Sequence, residues 1–108
     1  KLYLNFALNY GSRNEILIAL QKIINKYVKK KFPINEKIIS SNLYTKNIPD
    51  PDLLIRTSGE KRISNFLLWQ LAYTELVFLD VLWPDFKKKH FVAALNQYSK
   101  RLRRYGSR

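Results

Sequence analysis

At 108 residues the chain has the length of one domain, and its 46% hydrophobic and 14% aromatic content excludes a disordered segment. Lysine and arginine number 20 against 8 aspartates and glutamates, and the resulting formal charge of +12 favours anionic partners: nucleic acid, diphosphates or an acidic membrane surface. The absence of cysteine excludes a disulfide framework and a thiolate metal site, and no apolar stretch reaches the ~18 residues that span a bilayer.

The opening "LYLNFALN" alternates, with Leu2, Leu4, Phe6 and Leu8 on one face, and predicts a strand closed by Gly11. A start at Lys1 rather than methionine, directly in a strand, leads us to expect a fragment, with residues 1–108 forming part of a single domain. Ser12 and Glu15 have capping-box spacing, so a helix should begin there. Ile16, Leu20, Ile23, Ile24 and Tyr27 recur at helical spacing, Lys29, Lys30 and Lys31 suit the negative end, and Pro33 stops it. A shorter helix is expected over Asn35 to Leu43, then a turn-rich "NIPDPD" leading into the strand "LLIR".

Next comes "RTSGEKRIS", and then "SNFLLWQLAY", apolar on nearly every face, which predicts a buried helix capped by Ser64. "ELVFLDVLW" predicts a third strand ended by Pro84-Asp85, and a last helix is expected from about Lys88 to Tyr105. The β-α-α-β-α-β-α order implies an α/β fold, a mostly parallel sheet covered by helices.

In open parallel sheets ligands gather where a strand ends and a helix starts. Arg56 stands at such a strand end, with Arg62 and Ser64 at the mouth of the expected helix. Guanidinium forks match phosphate oxygens bidentately, a serine hydroxyl adds a neutral donor, and a helix N-terminus offers free N–H groups. The alternative is that both arginines are surface charges and Thr57-Ser58-Gly59 turns the chain. Familiar phosphate motifs are missing: there is no GxxxxGK[ST], no GxGxxG and no DDxxD.

Glu75 lies between the buried helix and the third strand, where it would cap, pair with Arg62, or coordinate Mg²⁺ shared with a diphosphate. His90, the only histidine, reads as a solvated residue, which leaves no Ser-His-Asp triad. Trp69 and Trp83 read as core residues. The C-terminal "KRLRRYG" reads as a cationic complement to the last helical turn, with Gly106 just past its end.

Together, "NYGSRNEI", "PDPDLLIRTSGEKRISNFLLWQLAYTEL", "VLWPDF" and "RLRRYG" resemble the cis-prenyltransferases, on the side of the bacterial undecaprenyl diphosphate synthases, over essentially the whole chain. The resemblance implies Mg²⁺-dependent elongation of farnesyl diphosphate, the allylic substrate, by isopentenyl diphosphate with new cis double bonds. It implies that Arg56, Arg62 and Ser64 bind the isopentenyl diphosphate head group and that Glu75 is associated with Mg²⁺. Arg104 and Gly106 match an R-x-G ending that reaches across a homodimer, and Leu2 and Phe6 match a strand lining the product tunnel.

The family's catalytic aspartate and its loop for the allylic diphosphate would lie upstream of Lys1. The chain is therefore expected to be the C-terminal half of the enzyme, inactive alone. A cytoplasmic protein in peripheral contact with membrane lipid is implied, with no nucleic-acid partner. Some family members are non-catalytic interaction subunits, a second reading of the same resemblance, and a basic nucleic-acid-binding domain is a third reading that rests on charge alone.

Overall fold

The computed structural model describes residues 1–101 and 103–105. Two units divide the chain: Lys1–Pro49 with Asn65–Trp69, and Asp50–Ser64 with Gln70–Arg108.

In the first unit, helix α1 spans Ser12–Tyr27, with Glu15 in its first turn and Lys26 in its last, as the helix dipole favours. The expected capping box does not form. Gly11 is the N-cap and Ser12 is already helical, so its hydroxyl turns inward and accepts the Leu68 N–H at 2.8 Å. The buried stripe runs through Ser12, Glu15, Ala19 and Ile23, while Leu20 and Ile24 stay exposed. Helix α2 is shorter than expected, Glu36–Ser40, with Asn35 Oδ1 capping the Ile38 N–H at 2.9 Å. Beyond it, bonds of Leu43 N–H to Ser40, Lys46 to Leu43 and Ile48 to Thr45 carbonyls wind the chain as turns.

Two expected elements of this unit are absent among the described residues. The alternating stretch at the start forms no ladder: the only parallel pair lies elsewhere, and Leu2, Leu4, Phe6 and Leu8 are exposed. Alternation supplies the propensity for a strand, but a strand also needs a partner for its N–H and C=O groups. Residues 65–69, expected to be helical, are turns. Asn65 and Leu67 stand at φ 64 and 48, in the left-handed region that interrupts a right-handed helix. Their backbone groups bond outward instead of to residues four away: the Asn65 carbonyl accepts the Ser12 N–H at 2.8 Å and its Oδ1 accepts the Arg13 N–H at 2.8 Å. Asn65 thereby caps α1 from a distance, and Trp69 Nε1 donates to Ser40 Oγ at 2.9 Å.

The second unit is an α/β arrangement. Strands β1 (Leu53–Arg56) and β2 (Glu75–Phe78) pair in parallel, with Leu53 opposite Glu75 and Arg56 opposite Phe78. Helix α3, Lys88–Ser99, packs on β2, and Val77 and Ala94 are fully buried. Pro84 sits in a 3-10 turn, Trp83–Asp85, that ends the apolar run, and Trp83 is exposed rather than in the core. His90 is not simply solvated: its Nδ1 accepts the Lys87 N–H at 2.9 Å and closes the start of α3. Helix α3 stops six residues before the expected Tyr105, because Arg101 and Arg103 fold back onto the strands instead of extending the helix.

Candidate functional site

Arg56 ends β1 and is half-buried. Its Nη1 donates to the Arg62 carbonyl and, at 3.0 Å, to Ser64 Oγ. One guanidinium therefore draws together the three residues singled out in the sequence. The intervening loop is anchored by backbone bonds of Leu79 N–H to Arg56, Ser58 N–H to Val81 and Gly59 N–H to Leu79 carbonyls, at 2.8, 2.8 and 2.9 Å. Gly59 stands at φ 71, and a Cβ there would lie 3.4 Å from Asp80 Oδ1, so backbone conformation and not space calls for glycine.

The donors offered to an anion differ from those expected. No helix starts at Ser64, which has φ 47, so no helix terminus contributes. The Ser58 and Gly59 amides already have carbonyl acceptors. The side chains then offer the charged donors. Arg62 is the exposed one, its guanidinium on Glu60 with side-chain exposures of 65% and 43%. Such a surface ion pair contributes about 0–1 kcal/mol and yields readily to a stronger anion. The Ser64 hydroxyl, having accepted from Arg56, keeps its own proton to donate.

Glu75 does not join this group. The parallel register places it beside Leu53, three residue steps from Arg56, or about 10 Å at the usual strand rise. Its Oε2 pairs with Arg101 Nη1 at 3.1 Å, and the same nitrogen donates to the Leu76 carbonyl at 2.7 Å. Of the roles considered for Glu75, the ion pair is realised, with Arg101 instead of Arg62. Among the described residues no three His, Asp or Glu side chains gather to hold a metal ion. A lone carboxylate fits Mg²⁺ as one ligand beside substrate phosphates, not as a site of its own.

Arg104 is exposed, and Gly106 lies outside the described residues. Leu2 and Phe6 lie on the exposed opening segment, 89% and 78% accessible. Asp52 and Arg103, which the sequence did not single out, make a 2.7 Å ion pair. Asp52 had the look of a turn residue beside Pro51, and Arg103 was one of several cations, so composition gave no sign of the pairing.

Residues 1–106 match the family model described as "Putative undecaprenyl diphosphate synthase". The isoprenyl transferase of Geobacillus kaustophilus is 57% identical over 108 residues, 97% of this chain and 42% of that protein. The crystal structure of lavandulyl diphosphate synthase from Lavandula x intermedia, in complex with dimethylallyl diphosphate, superposes with a TM-score of 0.82 at 40% identity, over 91% of this chain and 44% of that one. A probable undecaprenyl diphosphate synthase from Campylobacter jejuni gives 0.78 at 36% identity, over 93% and 45%. The chain thus spans less than half the length of these relatives. Its parallel strands, its basic loop after β1 and a match running from end to end agree: the chain belongs to the cis-prenyltransferase family, of the undecaprenyl diphosphate synthase type.

Proposed function

We propose that this chain is the isopentenyl diphosphate-binding portion of an enzyme that condenses isopentenyl diphosphate with farnesyl diphosphate into a long-chain polyprenyl diphosphate. The observation that carries the proposal is the Arg56 fork, which gathers Ser64 and the Arg62 backbone at the end of β1. Two guanidiniums and a hydroxyl suit a di- or trianionic head group better than a carboxylate.

In that reaction the allylic carbon–oxygen bond breaks and diphosphate leaves with the electron pair. The isopentenyl double bond then attacks the allylic carbon, and a proton is lost. Arg62 releases Glu60 and neutralises the head group, Ser64 donates a hydrogen bond to it, and Arg56 holds the loop that carries both. Their contribution is orientation of the nucleophile and charge compensation. Glu75 would hold Mg²⁺ jointly with a diphosphate, and the ion would supply further charge neutralisation. Arg104 approaches the head group from a second copy, in a homodimer, and the enzyme contacts membrane lipid only peripherally. The two units are read as parts of one catalytic domain.

Calorimetric titration of the 108-residue chain with isopentenyl diphosphate tests the reading, with inorganic diphosphate as competitor and duplex DNA as control. Saturable binding displaced by diphosphate is expected. Failure to bind, or DNA binding that weakens steeply with salt at the expense of diphosphate, would refute it.

A further inference from the structure

Arg103 has no role in the reading above, yet the structure holds it firmly. Nη1 donates to Asp52 Oδ1 at 2.7 Å and to Tyr98 Oη at 3.1 Å, and Nη2 donates to the Tyr73 carbonyl at 3.0 Å. These partners come from the loop before β1, the turn before β2 and the end of α3. The guanidinium lies 4.6 Å from the Tyr105 ring centroid and 5.8 Å from that of Tyr98. Its side chain is 16% exposed, and Nε is buried with no hydrogen-bond partner, so the two outer nitrogens do the holding. The hydrogen bond to Asp52 keeps the Arg103 pKa above its ordinary value, and the group stays charged throughout.

The segment around Arg103 has a further ring contact, with the Tyr105 ring centroid 6.1 Å from that of Tyr73. It borders a cavity of about 230 Å³ whose lining includes Asp50, Pro51, Asp52, Tyr73, Arg103 and Tyr105. Tyr105 stands at φ 49, a conformation that a bulky side chain keeps only when its surroundings impose it. Between these two residues lies Arg104, exposed.

We infer that Arg103 is a positioning residue: its fork on Asp52, Tyr73 and Tyr98 sets the backbone of residues 103–105 and so presents Arg104 to the diphosphate. The inference rests on the role proposed above for Arg104 and adds what aims it.

The test measures isopentenyl diphosphate binding by equilibrium dialysis in an assembled enzyme, with this chain replacing the matching region of the Geobacillus kaustophilus isoprenyl transferase. Arg104→Ala and Arg103→Ala are each expected to raise Kd about tenfold. The double variant should bind no more weakly than Arg104→Ala alone, since the two residues act through one contact. Arg103→Lys keeps the charge but loses the fork, and should fall with Arg103→Ala. Additive losses, an Arg103→Lys variant that binds normally, or an Arg103→Ala variant with lower Tm and unchanged Kd would each overturn the inference.

If Arg103→Ala does not fold, Asp52→Asn takes its place. It should raise Kd a few-fold when Arg104 is present and not at all in Arg104→Ala, and equal effects in both backgrounds refute the inference. An Arg104→Ala variant that binds normally sinks the parent reading together with the inference. Weakened Arg104→Ala beside a normal Arg103→Ala sinks the inference alone.

Discussion

Replacing Arg62 with alanine removes a guanidinium that the folded chain scarcely uses. Its partner Glu60 and Arg62 itself have side chains 43% and 65% exposed, so their ion pair contributes about 0–1 kcal/mol and its loss should leave Tm unchanged within a few degrees. If Arg62 binds the head group, its charge-assisted hydrogen bonds are worth about 1.5–3 kcal/mol, less up to about 1 kcal/mol for releasing Glu60. The net loss, about 0.5–3 kcal/mol, raises the isopentenyl diphosphate Kd roughly 2- to 150-fold. Glu60→Gln frees Arg62 beforehand, and should tighten binding by no more than about fivefold. Calorimetry on the three proteins, with Tm read in parallel, separates the effects. An Arg62→Ala protein with intact Tm and unchanged Kd would refute the assignment, and a large fall in Tm would show that Arg62 serves the fold instead.

Gly59→Ala should lower stability by about 1 kcal/mol, because Cβ has room but φ 71 does not suit it; an unchanged denaturation midpoint would contradict this. Burial and the hydrogen bond to Glu15 raise the Tyr10 pKa, so the folded state favours neutral tyrosine. That stabilisation is complete below the unfolded pKa of about 10 and is lost as pH rises through the folded value. Stability measured from pH 9 upward should therefore fall more steeply in the parent than in Tyr10→Phe, and parallel curves would refute it. The 108 residues alone should incorporate no labelled isopentenyl diphosphate into polyprenyl product with farnesyl diphosphate and Mg²⁺; measurable incorporation would show that the half-site suffices.

Periodicity made α1 and α3 legible and short apolar runs the paired strands, because each carries its pattern within its own residues. The failures share a cause. A strand at residues 2–9 requires a ladder partner that alternation cannot supply, so Leu2 and Phe6 lie exposed. A helix after Ser64 requires its backbone groups to bond within the segment, but the Leu68 N–H goes to Ser12 Oγ and the Asn65 carbonyl to the Ser12 N–H, and left-handed φ at Ser64, Asn65 and Leu67 breaks the spiral. The capping box failed in the same way: Glu15 is 1% exposed, accepting from Tyr10 Oη at 2.5 Å and the Tyr44 N–H at 2.8 Å, a distant use that local spacing does not reveal. The clustering of Arg56, Arg62 and Ser64 was legible because it is local, inside nine residues. Arg103 and Asp52 lie 51 positions apart, and only the fold joins them.

The separation of Arg56 from Glu75 bears on how a complete site would be assembled. Within one copy they mark opposite ends of a four-residue parallel ladder, about 10 Å apart, and Glu75 is drawn toward the C-terminal segment by Arg101. Arg103 fastens that same segment to Asp52, just before β1, so Glu75, Arg101 and the residues flanking Arg104 share the amino-terminal end of the strands. The head-group cluster of Arg56, Arg62 and Ser64 occupies the carboxyl end. The register thus sets Glu75 and the head-group cluster at opposite ends of the ladder. In the proposed homodimer, a second copy would present its amino-terminal end, with Glu75 and Arg104, to the substrate that Arg56 and Arg62 hold.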